Sequence, residues 1–350
     1  MTKSATREAA DKVTFTQAEV TSAITAGDTA ARAGRKNLII NGGFDVWQRG
    51  TSFTTSAEYT ADRWQLQLSG GTSTVTQQTF TVGQTEVPDN PTYYLKMNTT
   101  TGDNNCGMFH RVEDVRNGAG QNVTISFWAK GTNPAGGTFD LMSSQRFGAG
   151  GSSHVEITTP LTVTSSWAKY THTFSLASIS GKTMGTGSSL VLIIRQSAGD
   201  TSTTAWNLNI ANVQLELGSV ATDFEHRSYG EELALCQRYY EVIADGSVSQ
   251  VQTFGIGHGY KSDQINWFYQ FKVSKRTEAF TLEVVSTSTG YRARNNSTNK
   301  YSTTLGMSAN LQSINQIEGY MTAISGITEQ SCWSVLLNQP SSKIAVSAEL

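Results

Sequence analysis

The chain is short of charge, of proline and of cysteine, and each shortage narrows what it can be. Asp, Glu, Lys and Arg make up 15% of its 350 residues, well below the usual quarter. Disordered chains carry more charge than this and fewer aromatics. The formal net charge of -2 argues against nucleic acid as the main partner, because phosphate recognition favours a basic face. Cys106, Cys236 and Cys332 are odd in number and far apart. They supply neither a disulfide framework nor zinc spacing, and read as free thiols made in a reducing cytoplasm. No apolar run approaches the ~20 residues of a membrane helix. The opening MTKSATREAADK has no apolar signal core, so a soluble protein without a conventional export signal is expected. What is plentiful is Ser, Thr, Gly and Asn between short apolar runs, the composition of antiparallel β-structure with long loops.

In chain order, four regions separate. Within residues 1–36, Thr16-Gln17-Ala18-Glu19 has capping-box spacing, with Phe15 and Val20 placed as a hydrophobic staple. Alanines then favour helix up to Gly34. A helix of roughly 17 residues is marginal alone, so this segment is expected to anchor or oligomerise the protein. From 37 to 227, short alternating runs predict eight or more strands. Leu38-Ile39-Ile40 opens the region and breaks at Asn41-Gly42-Gly43. Val123, Ile125, Phe127 and Ala129 alternate with Thr124, Ser126, Trp128 and Lys130. Leu190 to Ile194 is continuously apolar, as in a strand buried on both faces. After Trp206, Leu208 and Ile210 the parity moves to Val213, Leu215 and Leu217, which predicts a bulge near Ala211-Asn212. The pattern indicates a jelly-roll β-sandwich. Ser228-Tyr229-Gly230-Glu231 is a second capping box. It predicts a linker helix over 228–241, with Leu233, Cys236 and Tyr240 on one face. Residues 242–350 return to strands at 265–273, 280–284, 332–337 and 344–350, giving a smaller C-terminal β-sandwich whose last strand ties the chain end into a sheet. The fold class is therefore all-β with two short helices.

Two stretches carry a resemblance. NLIINGGFDVWQRGTSF followed by ADRW, and IANVQLELGSVATDFEHRSYGEELALCQRYYE, resemble in that order the tail-fibre-like and minor virion structural proteins of tailed bacteriophages. The first sandwich also looks like the carbohydrate-binding jelly-rolls appended to glycoside hydrolases, with NLIINGGFD as first strand and NIANVQLELG as last. The phage resemblance spans Asn37 to Glu241. Its relatives carry an Arg-Pro pair after the strand that follows the joint, where this chain has FKVSKRTEAF.

The resemblance implies a virion-associated homotrimer, made in the host cytoplasm, that docks on other virion proteins through its N-terminal segment and touches a host-surface glycan. At 1.5 Å per residue a 17-residue helix spans only about 25 Å, so a short tail fibre or knob suits the chain better than a long shaft. A capsid-surface fibre or decoration protein is the first alternative, and a polysaccharide depolymerase the second. The resemblance also implies that a structural calcium would draw on Asn41, Asp45 and Glu216.

Catalytic patterns are not apparent. Asp62, Glu216, Asp223 and Glu225 sit in no recognisable two-carboxylate motif, and the five histidines show no ligand spacing. His172 shares a face with Tyr170 and Phe174 and is expected to be semi-buried. No catalytic residue, metal or cofactor is assigned, and an enzyme is not expected. For sugar contact the candidates are Trp128, which points opposite Ile125 and Phe127, and then Trp167 and Tyr94 beside turn-rich segments. Core packing of all three is the competing reading.

Overall fold

A computed structural model describes residues 36–350 apart from 104, 136, 198–199, 201–202, 247–251, 286–289, 297, 303, 308–312, 323 and 338–341. The helix expected within 1–36 therefore lies outside the described residues, which include only Lys36 of that segment.

The first sandwich is built from β1 (Ser52–Phe53), β2 (Trp64–Gln67), β3 (Thr72–Thr79), β4 (Tyr93–Thr101), β5 (Gly107–Glu113), β6 (Asn122–Thr132), β7 (Phe139–Arg146), β8 (Val155–Leu161), β9 (Ala168–Ser175), β10 (Ser189–Gln196) and β11 (Trp206–Leu217). A six-stranded sheet in the order β1-β3-β4-β11-β6-β9 packs on a five-stranded sheet in the order β2-β5-β10-β7-β8. All neighbours are antiparallel, and the architecture is a jelly-roll.

Period-two alternation decides the faces. In β6, Val123, Ile125, Phe127 and Ala129 enter the main core while Trp128 and Lys130 turn outward. β10 is buried on both sides. Leu190, Leu192 and Ile194 join the main core, and Val191 and Ile193 form a second cluster with Phe109 and Met142 on the far face. The parity change in β11 is a bulge, with the register shifting between Ala211 and Gln214 and Asn212 at φ 49°.

The expected first strand at Leu38–Ile40 is not a strand. β4 pairs with β11 only along Trp206–Ile210, and residues 37–42 take over the same flank further along. There the Asn37 side chain stands in for a ladder peptide. Its Nδ2 donates to the Val213 carbonyl at 3.0 Å, and its Oδ1 accepts from the amides of Leu215 and Ile39 at 3.0 and 2.9 Å. Gly42 presses so close that a Cβ would lie 2.0 Å from the Val213 carbonyl oxygen. Side-chain hydrogen bonding competes with regular pairing here, as Asn residues favour.

Helix α1 (Tyr229–Gln237) begins with the expected capping box. The Glu231 amide donates to Ser228 Oγ at 3.3 Å and the Ser228 amide donates to Glu231 Oε2 at 3.0 Å. It ends four residues before Glu241, because Tyr240 already starts a strand, β12 (Tyr240–Asp245), paired with the C-terminal strand. Tyr240 therefore does not share a helical face with Leu233 and Cys236.

The second sandwich continues through β13 (Gln252–Lys261), β14 (Gln264–Gln270), β15 (Thr281–Val285), β16 (Tyr291–Asn295), β17 (Thr298–Ser302), β18 (Thr304–Met307), β19 (Gln316–Thr322), β20 (Cys332–Leu337) and β21 (Lys343–Ser347). Three strands, β12-β21-β15, face seven in the order β17-β16-β20-β13-β14-β19-β18 around Trp267, Ile265 and Ile344. In SKR, Lys275 is buried with Glu241 at 2.5 Å.

The signature stretches meet at the joint between the sandwiches. Arg63, fully buried, pairs with Glu349 and lies 3.5 Å from the Tyr239 ring centre. Arg49 pairs with the same carboxylate at 3.2 Å and stacks 3.5 Å over Tyr240. Gln48 Nε2 donates to the Tyr240 carbonyl at 2.8 Å, and Lys343 Nζ donates to the Gln48 carbonyl at 2.7 Å. Tyr59 donates to the Leu350 carbonyl at 3.1 Å, and Arg238 pairs with Glu113 at 3.1 Å. The last strand stops at Ser347; Ala348 stays in the second core, and Glu349 and Leu350 reach the first sandwich.

Candidate functional site

The three aromatics singled out from sequence lie together on the outer face of the six-stranded sheet, in one small cluster with Phe80, Val87 and Ala211. They are not equivalent. Trp167 is 8% exposed, wedged 5.3 Å from Phe80 and edge-on 5.3 Å from Tyr94, with Lys130 Nζ 5.1 Å from its ring. It serves as the interior of the cluster. Tyr94 is half-buried 4.7 Å from Phe80, and desolvation followed by the Glu86 charge raises its pKa. Trp128 is also half-buried, and it alone of the three lines a recess.

The bulge builds that recess. Ile210 and Val213 point into the main core, so Ala211 and Asn212 both face outward. Ala211 pairs directly with Trp128, and Lys169 of β9 flanks the ring on its other side. Ser126 completes the floor, Pro88 and Asp89 enter from the β3–β4 loop, and Asp223 and Phe224 enter from the segment after β11. The loops brace one another: His226 Nε2 lies 3.5 Å from Asp89 Oδ2 and its ring packs edge-on 5.0 Å from Phe224. Asn212 is 4% exposed, and its Oδ1 has no partner among the described residues. A buried unpaired acceptor is costly. One aromatic face, a free acceptor, an ammonium and two carboxylates around a small hollow are groups that stack on and hydrogen-bond to a polyhydroxylated ring. Sequence reasoning found Trp128 by strand parity but missed Asn212, Lys169 and Asp89. Its signal for Asn212 was the predicted bulge, which forces two consecutive side chains onto one face.

The other proposed sites dissolve into structure. Asn41 Oδ1 accepts the Val46 amide at 3.0 Å while its Nδ2 donates to the carbonyls of Val46 and Asp62. Glu216 accepts from Gln214 Nε2 and the Thr222 amide through Oε1, and from Thr222 Oγ1 through Oε2. Asp45 is pushed up to about 6 by burial and then by the Glu232 charge. The Asn41 and Glu216 side chains are thus already committed to protein partners. Among the described residues no group of three or more His, Cys, Asp or Glu is arranged for a metal. Asp62 is fully buried, accepting from the Gln48 amide and Nε2, and desolvation pushes it to about 6 against the pull of Arg49 and Gln48. Glu225 accepts from the Asn37 amide at 2.6 Å and from Arg227. His172 is half-buried 4.6 Å from Phe174, and burial lowers its pKa.

No family model matches the chain, and no curated protein matches it. Solved structures do. The N-terminal cellulose-binding domain of a Cellulomonas fimi β-1,4-glucanase is 15% identical, covering 52% of this chain and 98% of its own at a TM-score of 0.30. A C-terminal family 22 carbohydrate-binding module from Clostridium thermocellum is 11% identical, covering 51% and 100% at a TM-score of 0.31. A family 16 carbohydrate-binding module is 17% identical, covering 51% and 99% at a TM-score of 0.29. At these identities and scores the likeness carries no argument about ligand, and the jelly-roll assignment rests on the strand order above.

Proposed function

We propose that the protein is a non-catalytic glycan-binding component of a tailed-bacteriophage particle, a short tail fibre or knob that touches the host surface through the Trp128 face. The observation that carries the binding half is the recess itself, where Trp128 stands beside a buried, unpaired Asn212 acceptor. The virion half rests on the paired signatures at 37–64 and 211–241. A ring–sugar contact is worth roughly 0.5–1.5 kcal/mol, so one site binds weakly, on the order of millimolar. Useful attachment then depends on several copies acting together. An outward face on β13 and β14 supports a homotrimer: Ile256 is 70% exposed, Tyr260 51% and Phe268 46%, with His258 stacked on Phe268. A contiguous exposed apolar face of this kind marks contact surfaces.

The test is NMR titration of the protein with a panel of neutral oligosaccharides. Shifts at Trp128, Lys169 and Asn212 are expected, with about two- to ten-fold weakening in Trp128→Ala. If no neutral sugar perturbs these residues, the binding reading fails. Analytical ultracentrifugation reads the trimer, and a monomer at micromolar concentration removes it. Immunogold labelling of purified particles locates the protein; label on heads favours capsid decoration, and unlabelled particles defeat the virion reading.

A further inference from the structure

The opposite face of the first sandwich, on the five-stranded sheet, carries a second constellation that the Trp128 reading does not use. Met108 and Val112 of β5 enter the main core, so Phe109 and Arg111 point outward; on β10, Leu190 and Leu192 are core, so Ser189 and Val191 point outward. Strand register brings them together. Arg111 lies opposite Val191, and Ser189 lies opposite Arg146 of β7. Val191 thus has Arg111 directly across from it on one side and Arg146 diagonally on the other. Arg146 reaches across β10 until its guanidinium carbon is 6.0 Å from the Phe109 ring centre. Beneath them Phe109, Met142, Val191 and Ile193 form a closed apolar floor.

Among the described residues neither cation has a counter-ion within ion-pair distance. Arg111 makes no side-chain hydrogen bond or ion pair among the described residues, and its Nε is buried and unpartnered. Among the described residues, the side-chain hydrogen bond of Arg146 is a long 3.5 Å approach to Ser144 Oγ. Burial and the neighbouring Arg111 charge both lower the Arg146 pKa, with Glu156 opposing. Glu156 nonetheless accepts from Ser144 and lies 3.7 Å from His154, and Glu113 is spent on Arg238 and Tyr239. Ser189 is fully buried on this face, and its Oγ has no partner among the described residues. Two half-buried guanidiniums over an apolar floor are costly unless an anion completes them.

We propose that Arg111 and Arg146 form a binding subsite for an anionic group on a polysaccharide, a carboxylate or a phosphate, separate from the Trp128 recess. The guanidiniums supply charge-assisted donors, and the buried Phe109–Val191 floor beneath them holds their stems in place. The chain's net charge of -2 means that binding to a polyanion would be local and not a general attraction.

The experiment is affinity electrophoresis of the full chain through gels holding polygalacturonate, a phosphate-bearing teichoic acid or neutral dextran, at low and at moderate salt. Retardation by one or both anionic polymers and not by dextran is expected. Retardation by polygalacturonate alone identifies a carboxylate ligand, and by teichoic acid alone a phosphate ligand. Arg111→Gln/Arg146→Gln should weaken retardation about ten-fold or more. Trp128→Ala and a charge-matched control away from this sheet, Lys96→Gln/Lys272→Gln, should bind as wild type; circular dichroism checks that each variant folds. No retardation by either anionic polymer, or an equal loss in the charge-matched control, overturns the subsite. Because Trp128→Ala is read separately, failure here leaves the neutral-sugar reading standing, and the reverse also holds.

Discussion

The sharpest energetic test concerns the second-last residue of the chain. Chain ends are ordinarily frayed and tolerant of change, yet here Glu349 is the counter-ion of Arg63, whose side chain is wholly buried, while its own is 7% exposed. Replacing Glu349 with Gln keeps the shape and removes the charge. Breaking a buried pair by removing one partner costs roughly 3–5 kcal/mol, because the remaining ion stays desolvated and uncompensated. Arg63 keeps its hydrogen bond to the Arg111 carbonyl at 2.7 Å and its stack on Tyr239, which places the loss near the low end, about 3 kcal/mol. Urea unfolding followed by tryptophan fluorescence measures it, with Trp64 next in sequence to the lost pair. A double-mutant cycle with Arg63→Met isolates the coupling. Arg63→Met/Glu349→Gln should be more stable than the sum of the single losses predicts, since no Arg63 charge is then left buried without its partner, although Arg49 still loses the same carboxylate. If Glu349→Gln falls within about 0.5 kcal/mol of wild type, or the two losses simply add, Arg63 is not held by Glu349 and the joint is wrongly described.

Three further outcomes follow from buried groups. His110 is fully buried, with Nε2 donating to the Ile40 carbonyl at 3.0 Å, and burial then Arg63 lower its pKa to about 3. Its contribution is complete above the unfolded value of 6.5 and drains away as pH falls toward 3, so in paired urea melts His110→Leu should gain on wild type by about 3 kcal/mol between pH 6.5 and 4. Asp45 and Asp62, raised to about 6, act oppositely: their contribution is present below the unfolded value near 4 and is lost as pH rises through 6. Asp62→Asn, which cannot ionise, should therefore show a smaller fall in stability than wild type across pH 4–6 in the same melts. Gly42→Ala pushes a methyl to 2.0 Å from the Val213 carbonyl, and the same melts should show a loss of about 3 kcal/mol; a loss under about 1 would mean that the 37–42 segment is free to step away from β11.

The strands were the most legible part of the sequence because both sandwiches bury one face of each strand, and burial writes itself as alternation. β6, β10 and the bulge in β11 were readable in this way. The errors share a cause. Leu38–Ile40 is apolar and β-prone, but it is fixed by the amide of Asn37, whose partners are 176 and 178 residues away and leave no local pattern. The helix was extended through Tyr240 because local spacing favours it, while β21, arriving from the other end of the chain, claims that residue for a sheet. Within the site, Trp128 was visible from parity alone. Asp89, Lys169 and Asn212 converge on it through three separate elements, and no spacing rule links residues 89, 169 and 212.

The position of the signature residues bears on what a resemblance between such chains measures. Gln48, Arg49, Asp62, Arg63, Arg238, Tyr239 and Tyr240 all serve the joint: they clasp Glu349 and the chain end or brace the residues that do. Altering one strands a buried charge, so such residues must change together or not at all. The groups of the two candidate ligand sites, Trp128, Lys169, Arg111 and Arg146, are partly open to solvent and can be replaced singly at little cost to the fold. The same architecture can therefore keep its joint while exchanging what it binds. In this chain the QRG, DRW and QRYY residues thus serve to fasten two sandwiches. The two outer faces of the jelly-roll, which the joint holds in fixed relation to the second sandwich, are where relatives with different ligands should differ.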